Sequence, residues 1–183
     1  MLFSVILATN KSESVLEFAK VNHTTTTADS DDILINSNLI PGIYIYETSQ
    51  NFDSYLKELG VNYILRQFAG WVTPIVNIST TCPPGDLTNV ECEWTIDTKT
   101  VVKEHSVSFK LNEMKNDVTM DGRNVEFVLA QTRSNQWVEV QTDGYGSKKT
   151  KITRDFFVDR MQVTLEINTI TAKSIFLRQN STV

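Results

Sequence analysis

The chain has 183 residues, of which 40% are hydrophobic and 21% are charged, and its formal net charge is −5. This length provides one domain with a sizeable core and is short for two. A mildly acidic chain without a basic face is not typical of a nucleic-acid-binding protein. No stretch of the sequence approaches the roughly 20 apolar residues of a membrane-spanning helix.

Residues 1–40 differ in composition from the rest of the chain. They contain four consecutive threonines at 24–27 and a run rich in aspartate at 29–32. This composition predicts a flexible N-terminal extension with one short helix at 12–21. The apolar segment 2–8 has the character of a signal-peptide core, but it is short and no basic residue precedes it. A cleaved signal and an uncleaved leader are both open at this point.

The pattern of a folded domain begins at Pro41, and we predict that this domain extends over 41–180. Gly42 to Tyr46 is typical of a short strand. Apolar side chains then recur at helical spacing before Gly60, namely Phe52, Tyr55, Leu56 and Leu59. A second helical pattern ends at Gly70. Two short helices are therefore predicted, and with Arg66 as its one basic residue the second does not resemble a DNA-recognition helix.

From Pro74 onward the sequence alternates between apolar and polar residues, with turn signals between the alternating segments. The apolar rows are Val107/Phe109/Leu111, Val125/Phe127/Leu129, Val138/Val140 and Val163/Leu165/Ile167. Short strands without intervening helices predict an antiparallel meander of about ten strands. Closure into a barrel removes the exposed edges of such a meander, and a barrel of this width can enclose a cavity.

Arg154 is the most informative residue of this region. If residues 149–157 form a strand, Arg154 shares a face with Thr150, Ile152 and Phe156, whereas the opposite face is polar throughout. Arg154 is therefore predicted to point inward. A buried guanidinium requires a partner, which is either a carboxylate of the barrel or the carboxylate of a ligand. An arginine near the barrel end could also extend into water.

Three further residues are candidates for ligand contact. Ser174 and Phe176 share one face of the last predicted strand, although the other face is mixed and the choice of the inward face is less secure. Arg123 follows the turn Asp121-Gly122 and begins its strand. A solvated position at the barrel rim is therefore the plainer interpretation of Arg123.

The two cysteines, Cys82 and Cys92, flank the turn sequence Pro83-Pro84-Gly85-Asp86. Across a hairpin they could form a disulfide in a secreted protein, or remain free thiols in the cytosol. The two histidines, His23 and His105, have neither metal-site spacing nor a nucleophile and base around them. Enzymatic activity, a metal and a cofactor are therefore not expected.

Several segments, taken in order, resemble the intracellular fatty-acid-binding protein family. The first are Gly42-Ile43-Tyr44 and Asn51-Phe52-Asp53-Ser54-Tyr55-Leu56. The others are Leu59-Gly60-Val61, Arg66-Gln67, Pro74, Val107-Ser108-Phe109-Lys110-Leu111, Thr119-Met120-Asp121-Gly122-Arg123 and Trp137-Val138-Glu139-Val140-Gln141. Each motif is modest, but their order and spacing over residues 40 to about 178 are specific.

This resemblance implies an all-β fold of the calycin type, in which a helix-turn-helix lid caps a ten-stranded up-and-down antiparallel barrel. It implies a monomeric, non-enzymatic cytoplasmic carrier of fatty acids or similar ligands, which can contact membranes or acceptor proteins through the lid. Phe52 and Tyr55 then lie on helices that cover the entry portal of the ligand, and Thr98, Thr100 and Val102 align with positions that line the cavity. The alternative location is extracellular, with a Cys82–Cys92 disulfide.

The resemblance also has departures at the ligand clamp. Arg154 matches the family's inward arginine, but Ser174 and Phe176 stand where fatty-acid-binding members have a second arginine and a tyrosine. Tyr46 stands where an aliphatic residue is usual. The expected function is transport of long-chain fatty acids with a carboxylate contact from Arg154. The alternatives are a neutral or retinoid-like ligand, or a barrel that serves as an interaction scaffold.

Overall fold

The computed structural model describes residues 39–83, 91–144, 146 and 148–179. The predicted extension, its helix at 12–21 and the signal-like segment therefore lie outside the described residues, apart from Leu39 and Ile40. Within the described part, no helix has the length and apolar character needed to cross a membrane.

The described residues form ten strands and two short helices, as the sequence predicts. Strand β1 (Gly42–Gln50) is followed by helix α1 (Phe52–Leu59) and helix α2 (Tyr63–Ala69). The remaining strands are β2 (Ile75–Thr80), β3 (Glu93–Lys99), β4 (Glu104–Lys110), β5 (Met114–Val118), β6 (Asn124–Arg133), β7 (Gln136–Asp143), β8 (Lys149–Phe156), β9 (Arg160–Ile167) and β10 (Ile170–Arg178).

The strands make one antiparallel sheet that curls into a nearly closed barrel. Its order is β4-β3-β2-β1-β10-β9-β8-β7-β6-β5, so every neighbour except β1–β10 is also consecutive in sequence. Pairing of β1 with β10 joins the first strand to the last, with a bulge between Tyr46 and Thr48. The sheet ends at β4 and β5, which share no strand pairing.

One end of the barrel is filled by aromatic side chains. The indole rings of Trp94 and Trp137 meet edge-on with centroids 4.8 Å apart. Trp137 also contacts Phe156 at 5.4 Å and Phe109 at 5.9 Å. Edge-to-face pairs of this kind add to the free energy of burying the rings. We call this the closed end of the barrel.

Tyr44 and Arg178 fasten the start of the barrel to its last strand. The Arg178 guanidinium donates to the Tyr44 hydroxyl at 2.6 Å and to the Pro41 carbonyl at 2.6 Å. The Tyr44 hydroxyl donates in turn to the Ile40 carbonyl at 2.9 Å. Gly42 makes this approach possible, because a Cβ there would lie 2.9 Å from an Arg178 nitrogen and the backbone has φ +156°.

A second apolar cluster lies on the outer face of the sheet. Val138 and Val140 on β7 pack with Val128 on β6, and Met114 packs against them. The side chains that alternate with these valines on β7 face the interior, and they are Trp137, Glu139 and Gln141. The apolar row of β7 therefore faces outward, and the mixed row faces inward.

Cys82 and Cys92 form a disulfide across the β2–β3 hairpin, with their Cα atoms 5.1 Å apart. Both side chains belong to the core cluster at the closed end. The turn residues 84–90 between them lie outside the described residues. The bridge therefore joins the two strands at the end of the barrel opposite the helices.

Candidate ligand-binding site

A cavity of about 510 Å³ lies between the two helices and the inner wall of the barrel. Internal ligand pockets typically have volumes of a few hundred cubic ångströms and mostly apolar walls. The wall is built by inward rows of β1, β2, β3, β8, β9 and β10. Its apolar members include Val76, Ile96, Ile152, Met161, Val163, Leu165 and Phe176.

Strand register brings the polar side chains of this wall to one level of the barrel. Val163 on β9 pairs with Arg154 on one side and with Ser174 on the other. Ser49 on β1 pairs with Ser174. Because neighbouring strands lie about 4.8 Å apart, the Arg154 and Ser174 backbones are about 10 Å apart. All three polar residues line the cavity.

Arg154 has a carboxylate partner inside the barrel. Its Nη1 donates to Oε2 of Glu139 on the adjacent strand at 2.6 Å, and the two side chains are 15% and 7% exposed. Gln141 donates to the other oxygen of Glu139 at 2.6 Å. Of the partners considered for an inward Arg154, the structure thus contains a carboxylate of the protein itself.

Tyr46 supplies a phenol hydroxyl to the cavity on the strand next to Phe176. The two residues are paired in register, and their rings meet edge-on at 5.7 Å. The Tyr46 hydroxyl donates to Ser49 Oγ at 2.9 Å. The polar group that Phe176 lacks is therefore present on the neighbouring strand.

Helix α1 is fastened over the cavity by the turns of the barrel. Asn51 donates to the Thr171 carbonyl at 2.8 Å, and Asn168 donates to the Glu58 carboxylate at 2.6 Å. Lys148 donates to the Leu59 carbonyl at 2.9 Å, which satisfies an open carbonyl at the end of the helix. Tyr55, Leu56 and Leu59 pack against β9 and β10.

Helix α2 is held much less firmly than α1. None of its residues is buried. Arg66 joins it to α1 through a 2.9 Å ion pair with Asp53. Its exposed apolar side chains are Tyr63, Ile64, Leu65 and Phe68, and Trp71 follows at 82% exposure.

A smaller cavity of about 150 Å³ adjoins the first and shares Ile96, Thr98 and Arg154 with it. Its walls include the Glu139–Arg154 pair and His105 on β4. His105 lies 3.0 Å from Asp117 on β5. This cavity therefore reaches the place where β4 and β5 part.

The structure brings together some of the residues predicted for the site and separates others. Phe52, Arg154, Ser174 and Phe176 line the larger cavity. Thr100 and Val102 lie beyond the end of β3, in the β3–β4 turn, where Val102 is 63% exposed and Thr100 donates to the Lys103 carbonyl. They are outside both cavity walls. Ligand contact by any of these residues stays a prediction.

Tyr55 on helix α1 and Arg123 lie close to each other. Arg123 donates to Asp121 at 2.6 Å, and Asp121 also accepts from Thr119 at 2.5 Å. Burial raises the pKa of Asp121, but these hydrogen bonds outweigh burial and bring the pKa below its usual value. Burial raises the pKa of Tyr55 to about 12, and the nearby charge of Arg123 acts in the opposite direction.

Sequence reasoning missed Glu139 and Tyr46 as parts of the interior. Glu139 lies two residues from Trp137 and therefore shares its face of the strand, which could have placed Glu139 inward. The apolar valines at 138 and 140 instead favoured the opposite row as the inward one. The sequence marks Tyr46 only as a departure from the family pattern. Within the described residues, no group of three or more histidine, cysteine, aspartate or glutamate side chains could hold a metal ion.

Comparison with known proteins decides the family of this barrel. The chain is 33% identical over 138 residues to a fatty acid-binding protein of Tyrophagus putrescentiae. The aligned segment covers 75% of this chain and 96% of that protein. It belongs to the fatty-acid-binding protein family. Fatty acid-binding protein 9 of Homo sapiens is 32% identical over 135 residues, or 74% of this chain and 93% of that protein.

Solved structures of the same family share the fold. The Schistosoma mansoni fatty acid binding protein in complex with arachidonic acid superposes with a TM-score of 0.69 at 28% identity, covering 79% of this chain and 99% of that one. The fatty acid transporter REP1-NXSQ superposes with a TM-score of 0.66 at 28% identity, covering 77% and 96%. A scan against protein-family models found no match.

Proposed function

We propose that this chain binds a long-chain fatty acid or a related hydrophobic ligand inside the barrel and carries it without enzymatic chemistry. The observation that carries the proposal is the cavity of about 510 Å³ beneath the lid, with apolar walls and with Arg154 and Ser174 on its inner wall. Relatives named as fatty acid-binding proteins support the same conclusion. The apolar wall holds the chain of the ligand, and the polar level holds its head group.

Arg154 is the proposed head-group contact. Its side chain is 15% exposed and lines both cavities. A guanidinium offers several donors in a fixed plane and stays charged at every physiological pH. Ser174 adds a hydroxyl on the same level of the wall. We also propose that Phe52, Phe176 and Ser174 contact the ligand.

The lid is the proposed surface for contact with a membrane or an acceptor protein. Support comes from the exposed apolar side chains of α2 and of Trp71, which is 82% exposed. Aromatic side chains are favourable at a membrane interface because one end is apolar and the other is polar. The weak attachment of α2 compared with α1 also makes it the segment that can move when ligand passes.

We propose that the chain resides in the cytoplasm as a monomer, as the resemblance to the family implies. The Cys82–Cys92 disulfide supports the alternative of an oxidising, extracytoplasmic location, since disulfides persist there. Sequencing the N-terminus of the mature protein tests the extracytoplasmic alternative, because a cleaved signal peptide leaves a chain that begins after the apolar segment. Light scattering during gel filtration measures the oligomeric state.

Native mass spectrometry of the purified chain tests the carrier function first. The protein should carry one lipid, and the delipidated protein should rebind lipid at one site in competition with a fluorescent hydrophobic probe. Arg154→Gln should weaken or redirect head-group selection, whereas Arg160→Gln, at the half-exposed arginine that begins β9, should not. Absence of both copurified lipid and displacement would contradict the function and favour a scaffold role.

Transfer of a bound fluorescent lipid to phosphatidylcholine vesicles tests the lid. Trp71→Ser should slow the transfer. Val158→Ser provides the matched control, because Val158 is also exposed, at 73%, but lies in the β8–β9 turn at the closed end. Equal transfer rates for the two variants would contradict a docking role for the lid.

A further inference from the structure

The charge on the inner wall of the cavity is already neutralised within the barrel. Arg154 Nη1 lies 2.6 Å from Glu139 Oε2, and both side chains are largely buried at 15% and 7% exposure. The second oxygen of Glu139 accepts from Gln141 at 2.6 Å. Arg154 and Glu139 together therefore present a net charge of zero to the cavity.

An ionised carboxylate that binds beside this pair brings a second negative charge to the site. Two carboxylates that share a buried site cannot both stay ionised without a large free-energy cost. If the Glu139 side chain instead moves away from Arg154, a buried carboxylate is left without its cation, which is also unfavourable. Trp137, Ile152 and Val163, which flank the pair, are apolar and buried and supply no cation. The other basic side chains that line the two cavities have carboxylate partners of their own, since Arg66 pairs with Asp53 and His105 with Asp117.

An uncharged hydroxyl head group avoids both costs. The hydrogen bond described for Arg154 uses Nη1, so its other guanidinium nitrogens have no partner among the described residues. Those nitrogens can donate to a hydroxyl or carbonyl oxygen of the ligand while the ion pair stays intact. Ser174 and Thr98 bring hydroxyl groups to the same cavity, and each can donate or accept.

We propose that Glu139 determines the class of ligand, so that the cavity prefers a long-chain lipid with an uncharged, hydroxyl-bearing head group over the ionised fatty acid of the same chain length. This inference rests on the proposed function, since it requires that the cavity holds a lipid. Arg154 then donates hydrogen bonds to an uncharged head group while it stays paired with Glu139. The negative charge of Glu139 disfavours binding of an ionised head group.

The first experiment uses the full, delipidated chain without any substitution. Oleyl alcohol and oleate compete separately against one fluorescent hydrophobic probe at pH 8, where oleate is ionised in water. We expect oleyl alcohol to bind at least about tenfold more tightly than oleate, on the scale by which a neighbouring like charge disfavours an ionised carboxyl group. Oleate binding as tightly as the alcohol would overturn the inference.

Substitution of Glu139 tests the cause of the preference. Glu139→Gln leaves Arg154 with an uncompensated positive charge, so the affinity for oleate should rise about tenfold or more, with less than about a threefold change for oleyl alcohol. Glu166→Gln is the matched control, because Glu166 pairs with Lys151 on the outer face of the barrel at 3.3 Å. An equal effect of both variants on the ligand ratio would overturn the role of Glu139.

A double variant covers the case in which Glu139→Gln does not fold with an unpaired Arg154. Glu139→Gln with Arg154→Gln restores neutrality without charges, and it should still bind oleyl alcohol in preference to oleate. A preference for oleate in this variant would overturn the inference. Binding of neither ligand to the unsubstituted chain would instead contradict the carrier function itself, so the two failures are distinguishable.

Discussion

His105 on β4 and Asp117 on β5 face each other at 3.0 Å across the one place where neighbouring strands of the described barrel share no strand pairing. Lys115 on β5 also donates to the Ser108 carbonyl on β4. Side chains thus replace the missing backbone hydrogen bonds between these two strands.

Asp117→Asn should therefore loosen the two strands. The side chains of His105 and Asp117 are 19% and 20% exposed, so the lost interaction should lower the free energy of unfolding by about 1 kcal/mol. Amide hydrogen exchange should accelerate in β4 and β5. The control is Asp97→Asn, which removes the charge from the acceptor of Ser106 between two strands that are paired through their backbones. Unchanged exchange in β4 and β5 would contradict a bridging role for Asp117.

The stabilising effect of the Asp121 carboxylate should be lost in acid. Because its pKa in the folded state lies below the usual 3.8, its stabilising effect is complete above that value and disappears as the pH falls through the lower, folded-state pKa. The unfolding free energy of Asp121→Asn should lie about 1–2 kcal/mol below that of the unsubstituted protein at pH 7. The two values should converge in acid.

Urea unfolding from pH 7 down to about pH 2.5 measures this convergence. Asp159→Asn is the control, because Asp159 is 68% exposed and pairs only with the adjacent Arg160 among its described partners. A constant difference between the Asp121→Asn variant and the unsubstituted protein at every pH would show that the Asp121 carboxylate is not the stabilising group.

Gly42→Ala should destabilise the barrel by about 2 kcal/mol or more, because the new methyl group meets the Arg178 guanidinium at 2.9 Å and the backbone conformation disfavours a side chain. Thermal unfolding measures the loss. Gly70→Ala is the matched control, since its φ is −72° and the nearest atom lies 3.4 Å from the added carbon. Equal losses at the two glycines would contradict the role of Arg178.

Reduction of the Cys82–Cys92 disulfide should lower the free energy of unfolding by about 2–3 kcal/mol, as expected from the entropy of closing a loop with a sequence separation of 10. Ligand affinity should change little, because the bridge lies at the closed end. Urea unfolding with and without a thiol reductant measures the effect, and Cys82→Ala with Cys92→Ala provides a variant that should not respond. An equal response of that variant would assign the effect to the reductant.

The sequence by itself determined the class of fold and the inward face of β8. Helical spacing before Gly60 and Gly70, alternation after Pro74 and turn signals are local properties of the chain, and each corresponds to an element of the barrel. On β8 every residue of one row is polar, so only the row with Arg154 can face the interior. Local pattern and burial agree there.

Only the tertiary structure decided what Arg154 meets. Sequence alternation predicted a strand around Val138 and Val140, but both rows of β7 are buried, since these valines pack on the outer face and Trp137 and Glu139 pack inside. Hydrophobicity reports burial and does not distinguish one side of a sheet from the other when both are covered. The Glu139–Arg154 contact arises from the register of two strands, which no single segment of sequence specifies.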